Sequence, residues 1–195
     1  MKKISFFLSA IILVLSANSQ KGSFGLKAGA NIYKISGLED FQGSTARLGL
    51  HGGAFYRLPI GSMVYVQPEL LYSSEGAKFE EDDFTGKINL NYINVPLMLQ
   101  LATPGGFFLE TGPQAGFLLS AKTKSSDGGQ DTEEDIKKNT RSVSFSWGAG
   151  AGYWFGNVGL GGRYNFGLSG IPQNSADGSN KSNGFQISLL WRLKK

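Results

Sequence analysis

The sequence contains few side chains with the chemistry of a catalytic or metal site. Among its 195 residues there is no cysteine and a single histidine, His51, which excludes thiolate sites and multi-histidine metal clusters. Two acidic runs, at residues 80–83 and 131–135, lack the D-x-[DN]-x-[DN]-G spacing of a dedicated calcium loop. We therefore expect no metal ion and no cofactor, and we interpret both runs as solvated loops.

The remaining candidates are two carboxylates, Glu69 and Glu110, and the imidazole of His51. Paired carboxylates can carry out acid–base work or line a proton path, and a histidine with a nearby serine can serve as the base of a lipid-modifying hydrolase. No serine stands out as a partner of His51. The alternative is structural, because charges buried inside a fold must be paired. We favour an internal charge cluster without catalytic residues, made of Arg47, His51, Arg57, Glu69, Glu110, Arg163 and Arg192.

A glycine-rich stretch at residues 144–167, SFSWGAGAGYWFGNVGLGGRYNFG, raises the question of a phosphate-binding loop. It has neither the G-x-G-x-x-G nor the GK[ST] spacing, and no helical pattern follows it. Bulky residues such as Trp147 and Tyr153 alternate with glycine and serine, and a Gly156-Asn157 turn separates two such runs. A period of two residues predicts strands. The stretch is therefore interpreted as a β-hairpin with one apolar face and one small or polar face.

Eight segments with this alternation occupy most of the chain after residue 22. Long polar loops follow the first, third, fifth and seventh segments, and tight turns follow the second, fourth and sixth. Outer-membrane barrels have this arrangement, with long extracellular loops and short periplasmic turns. The pattern predicts an all-β fold, an eight-stranded antiparallel up-and-down transmembrane β-barrel. The predicted strands are 23–34, 44–58, 62–75, 86–101, 106–121, 141–155, 157–168 and 184–193.

The two faces of the predicted strands distinguish a membrane barrel from a soluble one. One face carries large apolar residues such as Leu48, Leu50 and Trp191, and the other carries charged and small residues. The lumen of eight strands has room only for side chains, so a soluble barrel would fill it with the bulky set and expose glycine and serine. We expect instead that the apolar face contacts lipid and the charged set fills the lumen, with Glu69 and Glu110 as its only acidic residues.

Two features break the alternation. In the fourth segment Leu90 and Tyr92 share one parity, whereas Ile93 and Val95 continue on the other. A β-bulge near Tyr92 and Ile93 would place both sets on the lipid face. Three prolines lie where a strand needs backbone N–H donors, and we expect bulges or unpaired positions at them. They are Pro68, Pro96 and Pro113.

The N-terminus has the features of an export signal. Lys2 and Lys3 precede an apolar run at residues 4–15, and small residues at 17–19 allow cleavage before Gln20. This run of about twelve residues is shorter than the ~20 of a spanning helix. We expect a signal peptide at 1–19 and a barrel domain at 20–195, located in the cell outer membrane. The formal net charge of +4 includes Lys2 and Lys3, and the charge that remains is too weak to indicate nucleic acid.

Nearly the whole predicted domain is covered, in order, by five stretches: GLKAGAN, QPELLYSSEGAKF, LNYINVPLMLQ, ETGPQAGFLLSAK and GAGAGYWFGNVGLGGRYNFGL. Through them the sequence resembles the PorT-like outer-membrane β-barrel proteins of Bacteroidetes. The resemblance implies an eight-stranded antiparallel barrel in the cell envelope. The namesake of that family is associated with the secretion and gliding machinery of the type IX system, whereas most members have no assigned activity.

The sequence favours a small non-enzymatic barrel with a structural, adhesion or secretion-accessory role through its surface loops. A narrow pore or transporter is one alternative, but it needs a continuous wet lumen, and arginine and glutamate inside eight strands argue against one. A lipid-modifying enzyme is the second alternative, but it needs a His–Ser pair on the lipid face, whereas parity places His51 in the lumen. The expected partners are outer-membrane lipid and lipopolysaccharide and envelope or secretion-machinery proteins, without nucleic acid.

Overall fold

A computed structural model describes residues 22–36, 44–81, 84–127, 130–171 and 180–193 of the chain. The predicted signal peptide at 1–19 lies outside these residues. The described part contains nine strands and a one-turn 3-10 helix, Lys137–Asn139, and none of its helices is long and apolar enough to span a membrane. The strands are β1 (Ser23–Ile35), β2 (Ser44–Pro59), β3 (Val64–Glu81), β4 (Phe84–Ala102), β5 (Phe107–Asp127), β6 (Gln130–Asp135), β7 (Val143–Phe155), β8 (Val158–Gly167) and β9 (Ser182–Arg192).

Eight of these strands close into a barrel. Neighbours along the chain pair antiparallel from β1 to β5, β5 pairs with β7, and β7, β8 and β9 follow in order. The last strand returns to the first, with Gly25 opposite Arg192 and Ile35 opposite Ser182. Closure matters in a membrane because every backbone N–H and C=O in the lipid layer must find a partner within the protein. The predicted eight-stranded antiparallel up-and-down barrel is confirmed.

The ninth strand, β6, extends the barrel wall beyond its rim. It pairs with the outer part of β5, from Lys122 opposite Asp135 to Asp127 opposite Gln130, whereas the inner part of β5 pairs with β7. The sequence predicted that the fifth strand ends at 121 and that a polar loop follows. The structure instead continues β5 for six more residues, because oppositely charged side chains on facing strands stabilise a polar hairpin.

The tight connections lie together at one end of the barrel. They join β2 to β3 at residues 60–63, β4 to β5 at 103–106, and β7 to β8 at 156–157. Gly156 has a φ of 65°, a conformation that favours glycine in a two-residue hairpin turn. Short turns face the periplasm in outer-membrane barrels. This end is therefore the periplasmic end, and the β5–β6 hairpin projects on the extracellular side.

The outward face of the barrel is apolar. Leu48 and Leu50 are 70% and 67% exposed, which is unfavourable in water and expected for side chains that contact lipid. Aromatic pairs occur near the strand ends, with ring centroids 4.7 Å apart in Tyr153–Phe155 and 4.6 Å apart in Tyr164–Phe166. Such rings favour the boundary between lipid and water. The alternation in the sequence therefore has the predicted consequence, an apolar belt outside and a polar lumen.

The irregularity predicted for the fourth strand occurs at the predicted position, but the extra residue belongs to the neighbouring strand. β4 keeps one register against β3, so Leu90 and Tyr92 point into the barrel, where they are 0% and 3% exposed. The predicted position of the irregularity is confirmed, because the pairing of β4 with β5 shifts between Asn91 and Tyr92, but the expectation that it turns Leu90 and Tyr92 to the lipid is wrong. The extra residue is in β5, where Leu119 is skipped between consecutive partners of β4. An apolar side chain fits the lipid face and an apolar layer of the lumen equally well, and parity alone could not separate the two.

The three strand prolines interrupt the pairing without shifting its register. Each proline is paired on one side, Pro68 with Leu97 of β4, Pro96 with Gln114 of β5, and Pro113 with a residue of β7. On its other side each lies in a gap, and the same register resumes beyond it. A missing N–H explains the gaps. The expectation of bulges or unpaired positions at the prolines is confirmed, and it is unpaired positions that occur.

The interior is arranged in layers along the barrel axis. Polar and charged side chains occupy the middle, and an apolar cluster lies on each side of them. The periplasmic cluster contains Phe55, Ala102, Phe108, Trp154 and Leu190. The extracellular cluster contains Leu90, Tyr92, Leu118 and Ala121. These inward apolar residues bound the polar layer on both sides.

Candidate functional site: the polar lumen

Four charged side chains from different strands meet in the middle of the lumen. Arg163 of β8 donates from Nη2 to Oε1 of Glu69 at 2.8 Å and from Nη1 to Oε2 at 3.0 Å, which makes a bidentate pair with β3. Nε of Arg163 donates to Oε1 of Glu110 on β5 at 2.7 Å. Lys27 of β1 donates from Nζ to Oε2 of Glu69 at 3.2 Å. We call these four residues the central charge network, and its two cations balance its two carboxylates.

The central charge network is shielded from solvent and completed by amides. Its exposure ranges from 2% for Arg163 to 8% for Glu110. Gln67 donates to Oε1 of Glu69 at 2.8 Å, and Gln100 donates to Oε2 of Glu110 at 2.9 Å. Buried charges are stable only when they are paired and hydrogen-bonded. Both carboxylates meet this requirement, and together with the amides they fill the lumen at its middle.

His51 lies in the lumen next to the central charge network but outside it. Its Nε2 is 2.8 Å from Oγ of Ser188 on β9, and its Nδ1 is 2.5 Å from Oδ1 of Asn31 on β1. The statement that no serine stands out as a partner of His51 is therefore wrong: Ser188 has the lumen parity of Gln186. A Ser–His–Asn arrangement has the contacts of an activated nucleophile. Here His51 and Ser188 are 3% and 2% exposed, so neither lipid nor a dissolved substrate reaches the pair.

The remaining predicted site residues are placed at the two ends of the lumen. Arg47, near the extracellular end, donates from Nη1 to Oγ of Ser74 at 3.1 Å and to the carbonyl oxygen of Glu75 at 2.8 Å. Arg57 and Arg192 lie at the periplasmic end beside aromatic rings. Of the seven residues predicted as one cluster, the structure brings together Glu69, Glu110 and Arg163 and separates the others. Side-chain parity assigns a face, and it does not assign a height along the barrel.

Two lumen residues that matter here were not part of the predicted charge cluster. Lys27 joins the central charge network although it was not among the predicted site residues. Glu75 is 6% exposed and accepts hydrogen bonds from Nδ2 of Asn94 at 3.0 Å and from Oγ of Ser182 at 3.2 Å. The prediction that Glu69 and Glu110 are the only acidic residues inside is therefore wrong. Glu75 shares the parity of Glu69, a signal in the sequence that was overlooked because the residue ends its predicted strand.

The β5–β6 hairpin carries a separate, exposed charge cluster outside the membrane. Nζ of Lys124 is 2.6 Å from Oε2 of Glu133, and Lys122 bonds the other carboxylate oxygen. Hydrogen bonds from Lys122 and Lys124 lower the pKa of Glu133 to about 2, and the same contact raises the pKa of Lys122. Glu133 is therefore ionised at neutral pH. Among the described residues no group of three or more His, Cys, Asp or Glu side chains could hold a metal ion.

A closed eight-stranded barrel with an apolar belt, a filled polar lumen and short turns on one side defines a small outer-membrane β-barrel protein. The chain belongs to the family described as outer membrane protein beta-barrel domain, which matches residues 17–173. The predicted location in the outer membrane is thereby confirmed. No curated protein matches the sequence.

Solved structures with the same fold are distant in sequence. Ail, the attachment invasion locus protein of Yersinia pestis, is 17% identical with a TM-score of 0.51, and the match covers 89% of this chain and 100% of Ail. Ail in complex with the heparin analogue sucrose octasulfate is 16% identical, with a TM-score of 0.53 and the same coverage. Neisserial surface protein A is 14% identical, with a TM-score of 0.51 and again 89% and 100% coverage. At these identities the likeness is one of fold alone.

Proposed function

We propose that the protein is a non-enzymatic component of the outer-membrane surface that acts through its extracellular end, in a structural, adhesion or secretion-accessory role. The observation that carries this proposal is the filled lumen. The central charge network spans the middle of the barrel, and apolar clusters lie on both sides of it. Solutes therefore have no wet path through the described barrel. The enzymatic alternative is disfavoured because the His51–Ser188 pair is enclosed.

The pore alternative gives a direct test. Purified protein inserted into planar bilayers is expected to show no steady single-channel current in its folded form, because side chains fill the lumen of an eight-stranded barrel. Folding is verified by faster migration on an unboiled gel, and a heat-denatured sample controls for leaks caused by detergent. Steady current steps in the folded sample that are missing from the control would overturn the proposal and support the alternative that the protein is a pore.

A row of lysines on the outer surface supports lipopolysaccharide as a partner. Lys87 of β4 faces Lys78 of β3 on one side and Lys124 of β5 on the other. Facing residues share one surface of a sheet. Lys87 lies six residues before Ile93 on β4, so the row is on the same surface as lipid-facing Ile93. At about 3.4 Å per residue, the row stands just above the apolar belt. Lys124 also pairs with Glu133, whereas Lys87 is exposed, and an exposed ammonium group at this height can bind a lipopolysaccharide phosphate.

We expect the double substitution Lys87→Gln with Lys124→Gln to weaken binding of lipopolysaccharide. The measurement is the rise in unfolding temperature when lipopolysaccharide is added to the folded protein in micelles, at low and high salt, because exposed charge pairs are screened by salt. Lys138→Gln with Lys181→Gln removes the same charge away from the row and should leave the rise unchanged. An equal rise in both double variants would exclude the lysine row as the binding surface.

The finer family relationship and the surface partner are further parts of the proposal. The five stretches that resemble the PorT-like proteins of Bacteroidetes support a place near that group, and the leader at 1–19 is proposed to be removed before Gln20.

Ail is named for attachment and invasion, which supports adhesion as one role for the extracellular end here. Envelope or secretion-machinery proteins stay predicted partners. Photo-crosslinking from the exposed Thr132 in intact cells tests for them, and adducts formed equally from the periplasmic Ser62 would count against a specific partner.

A further inference from the structure

The periplasmic mouth of the barrel contains an open cavity of about 460 Å³. Two arginines and two aromatic rings dominate its wall, and no acidic residue is among its described lining residues. Arg57, Tyr65, Trp154 and Arg192 supply the side chains, and the turn at 103–106 and Gly156 supply backbone. The cavity is therefore large enough for a small organic molecule and carries net positive charge.

Neither guanidinium is neutralised by a carboxylate among the described residues. Arg57 stacks on Tyr65, with Cζ 3.3 Å from the ring centroid, and its Nε donates a hydrogen bond to Oε1 of Gln100 at 2.9 Å. Arg192 stacks on Trp154 at 4.3 Å and donates from Nη2 to the carbonyl oxygen of Gly156. Stacking on rings orients an arginine and leaves most of its N–H donors available. This contrasts with Arg163, which meets two carboxylates in the middle of the lumen.

Two buried N–H groups beside the cavity have no acceptor. They are Nε of Arg192 and Nε1 of Trp154, and Trp154 is only 6% exposed. An unpaired buried donor is unfavourable. An anion that draws Arg192 away from the indole would give its Nε an acceptor and would change the environment of Trp154. The site therefore has positive charge, space and unmet donors in one place.

We propose that this cavity binds a small organic oxyanion that enters from the periplasm, with its carboxylate or phosphate group held between Arg57 and Arg192. A forked guanidinium matches either group in a bidentate manner. The volume exceeds the needs of a single inorganic ion, so the body of the ligand occupies the space beside Ala102 and Pro104. This inference does not depend on the proposed role of the extracellular end.

Fluorescence of Trp154 provides the test. The chain has three tryptophans, and replacing the lipid-facing Trp147 and Trp191 with phenylalanine leaves Trp154 as the single reporter. Citrate is titrated into this folded protein at constant ionic strength, with inorganic phosphate in a parallel series. We expect a saturable change in emission with citrate, because the oxyanion displaces the guanidinium stacked on the indole. Saturation by phosphate at lower concentration than by citrate would assign the head group as phosphate and support the same site.

Matched variants locate the site. Arg192→Gln is expected to raise the citrate concentration at half-saturation about tenfold or more, since hydrogen bonds to charged groups contribute that much to affinity. Arg192→Lys keeps the positive charge but loses the forked guanidinium. Its citrate concentration at half-saturation should lie between those of the unmutated protein and Arg192→Gln. Arg141→Gln removes one charge at the opposite end of the barrel and should have no effect. A response that does not saturate, or one that is equal in Arg192→Gln and Arg141→Gln, would overturn the proposal.

Discussion

Replacement of Glu69 with alanine is expected to lower the free energy of unfolding by about 3–5 kcal/mol, the usual cost of leaving a buried charge without its partner. Glu69 accepts hydrogen bonds from Arg163, Lys27 and Gln67. Its removal leaves both cations in the lumen with Glu110 as the remaining carboxylate of the central charge network. The measurement is a urea titration of the protein folded in micelles, followed by mobility on an unboiled gel.

The double variant separates the pair from the single changes. Glu69→Ala with Arg163→Ala leaves Lys27 and Glu110, so the lumen keeps no net charge from the network. We expect the double variant to lose much less free energy of unfolding than the two single variants lose in sum. Each single change leaves a buried charge without its partner, and the second change removes that charge. Glu134→Ala, an exposed residue of the β5–β6 hairpin, serves as the control and should change stability by less than about 1 kcal/mol.

Small and additive effects of the two lumen substitutions would contradict this account. That outcome would mean that water already solvates Glu69 and Arg163, as it does in exposed ion pairs. The lumen would then be wet at its middle, and the proposal of a surface protein without a pore would lose its main support.

Replacement of Gly53 with alanine is expected to destabilise the barrel by about 3 kcal/mol or more, the upper range for overpacking a filled interior. A Cβ atom at Gly53 would lie 2.0 Å from the carbonyl oxygen of Leu70 and 2.9 Å from Cα of Leu71. Both contacts are with backbone of the neighbouring strand β3, which is fixed by the ladder on either side. The wall would have to move rather than a side chain.

The adjacent glycine is a matched control. A Cβ atom at Gly52 would lie no closer than 3.7 Å, to the carbonyl oxygen of Lys27. Gly52→Ala is therefore expected to be neutral or to stabilise by about 0.4–1 kcal/mol, since alanine restricts the unfolded chain. Urea titrations measure the free energy of unfolding of both variants. Equal destabilisation by the two substitutions would show that the close approach of β3 is not the reason for glycine at position 53.

The architecture was predictable because its signals are local. Alternation shows which residues share a face, and the lengths of the connections show which end faces the periplasm. The inward apolar clusters were not predictable in the same way. Leu90 and Tyr92 have the chemistry of lipid-facing residues, and only the regular pairing of β4 with β3 places them inside. The β5–β6 hairpin was missed because its polar composition resembles that of a loop.

The site could be predicted as a set of inward residues with approximate heights: mid-strand positions on facing strands make Arg163 a partner of Glu69, but they leave Arg47 and His51 as alternatives. Arg163 and Glu69 are 94 residues apart in sequence, and their contact depends on the stagger of strands that close the barrel. Parity carries no information on that stagger. For the same reason the sequence could not show that Lys27 reaches Glu69, that Ser188 reaches His51, or that Arg57 and Arg192 meet aromatic rings at the mouth.

The balance of charge within the central charge network has a consequence for how that network responds to an electric field. A potential across the outer membrane acts on each elementary charge with about 2.3 kcal/mol per 100 mV. Lys27 and Arg163 are pulled in one direction and Glu69 and Glu110 in the other, and the bidentate pair ties the opposing forces together. The central charge network therefore experiences no net force from a uniform field, because its charges sum to zero.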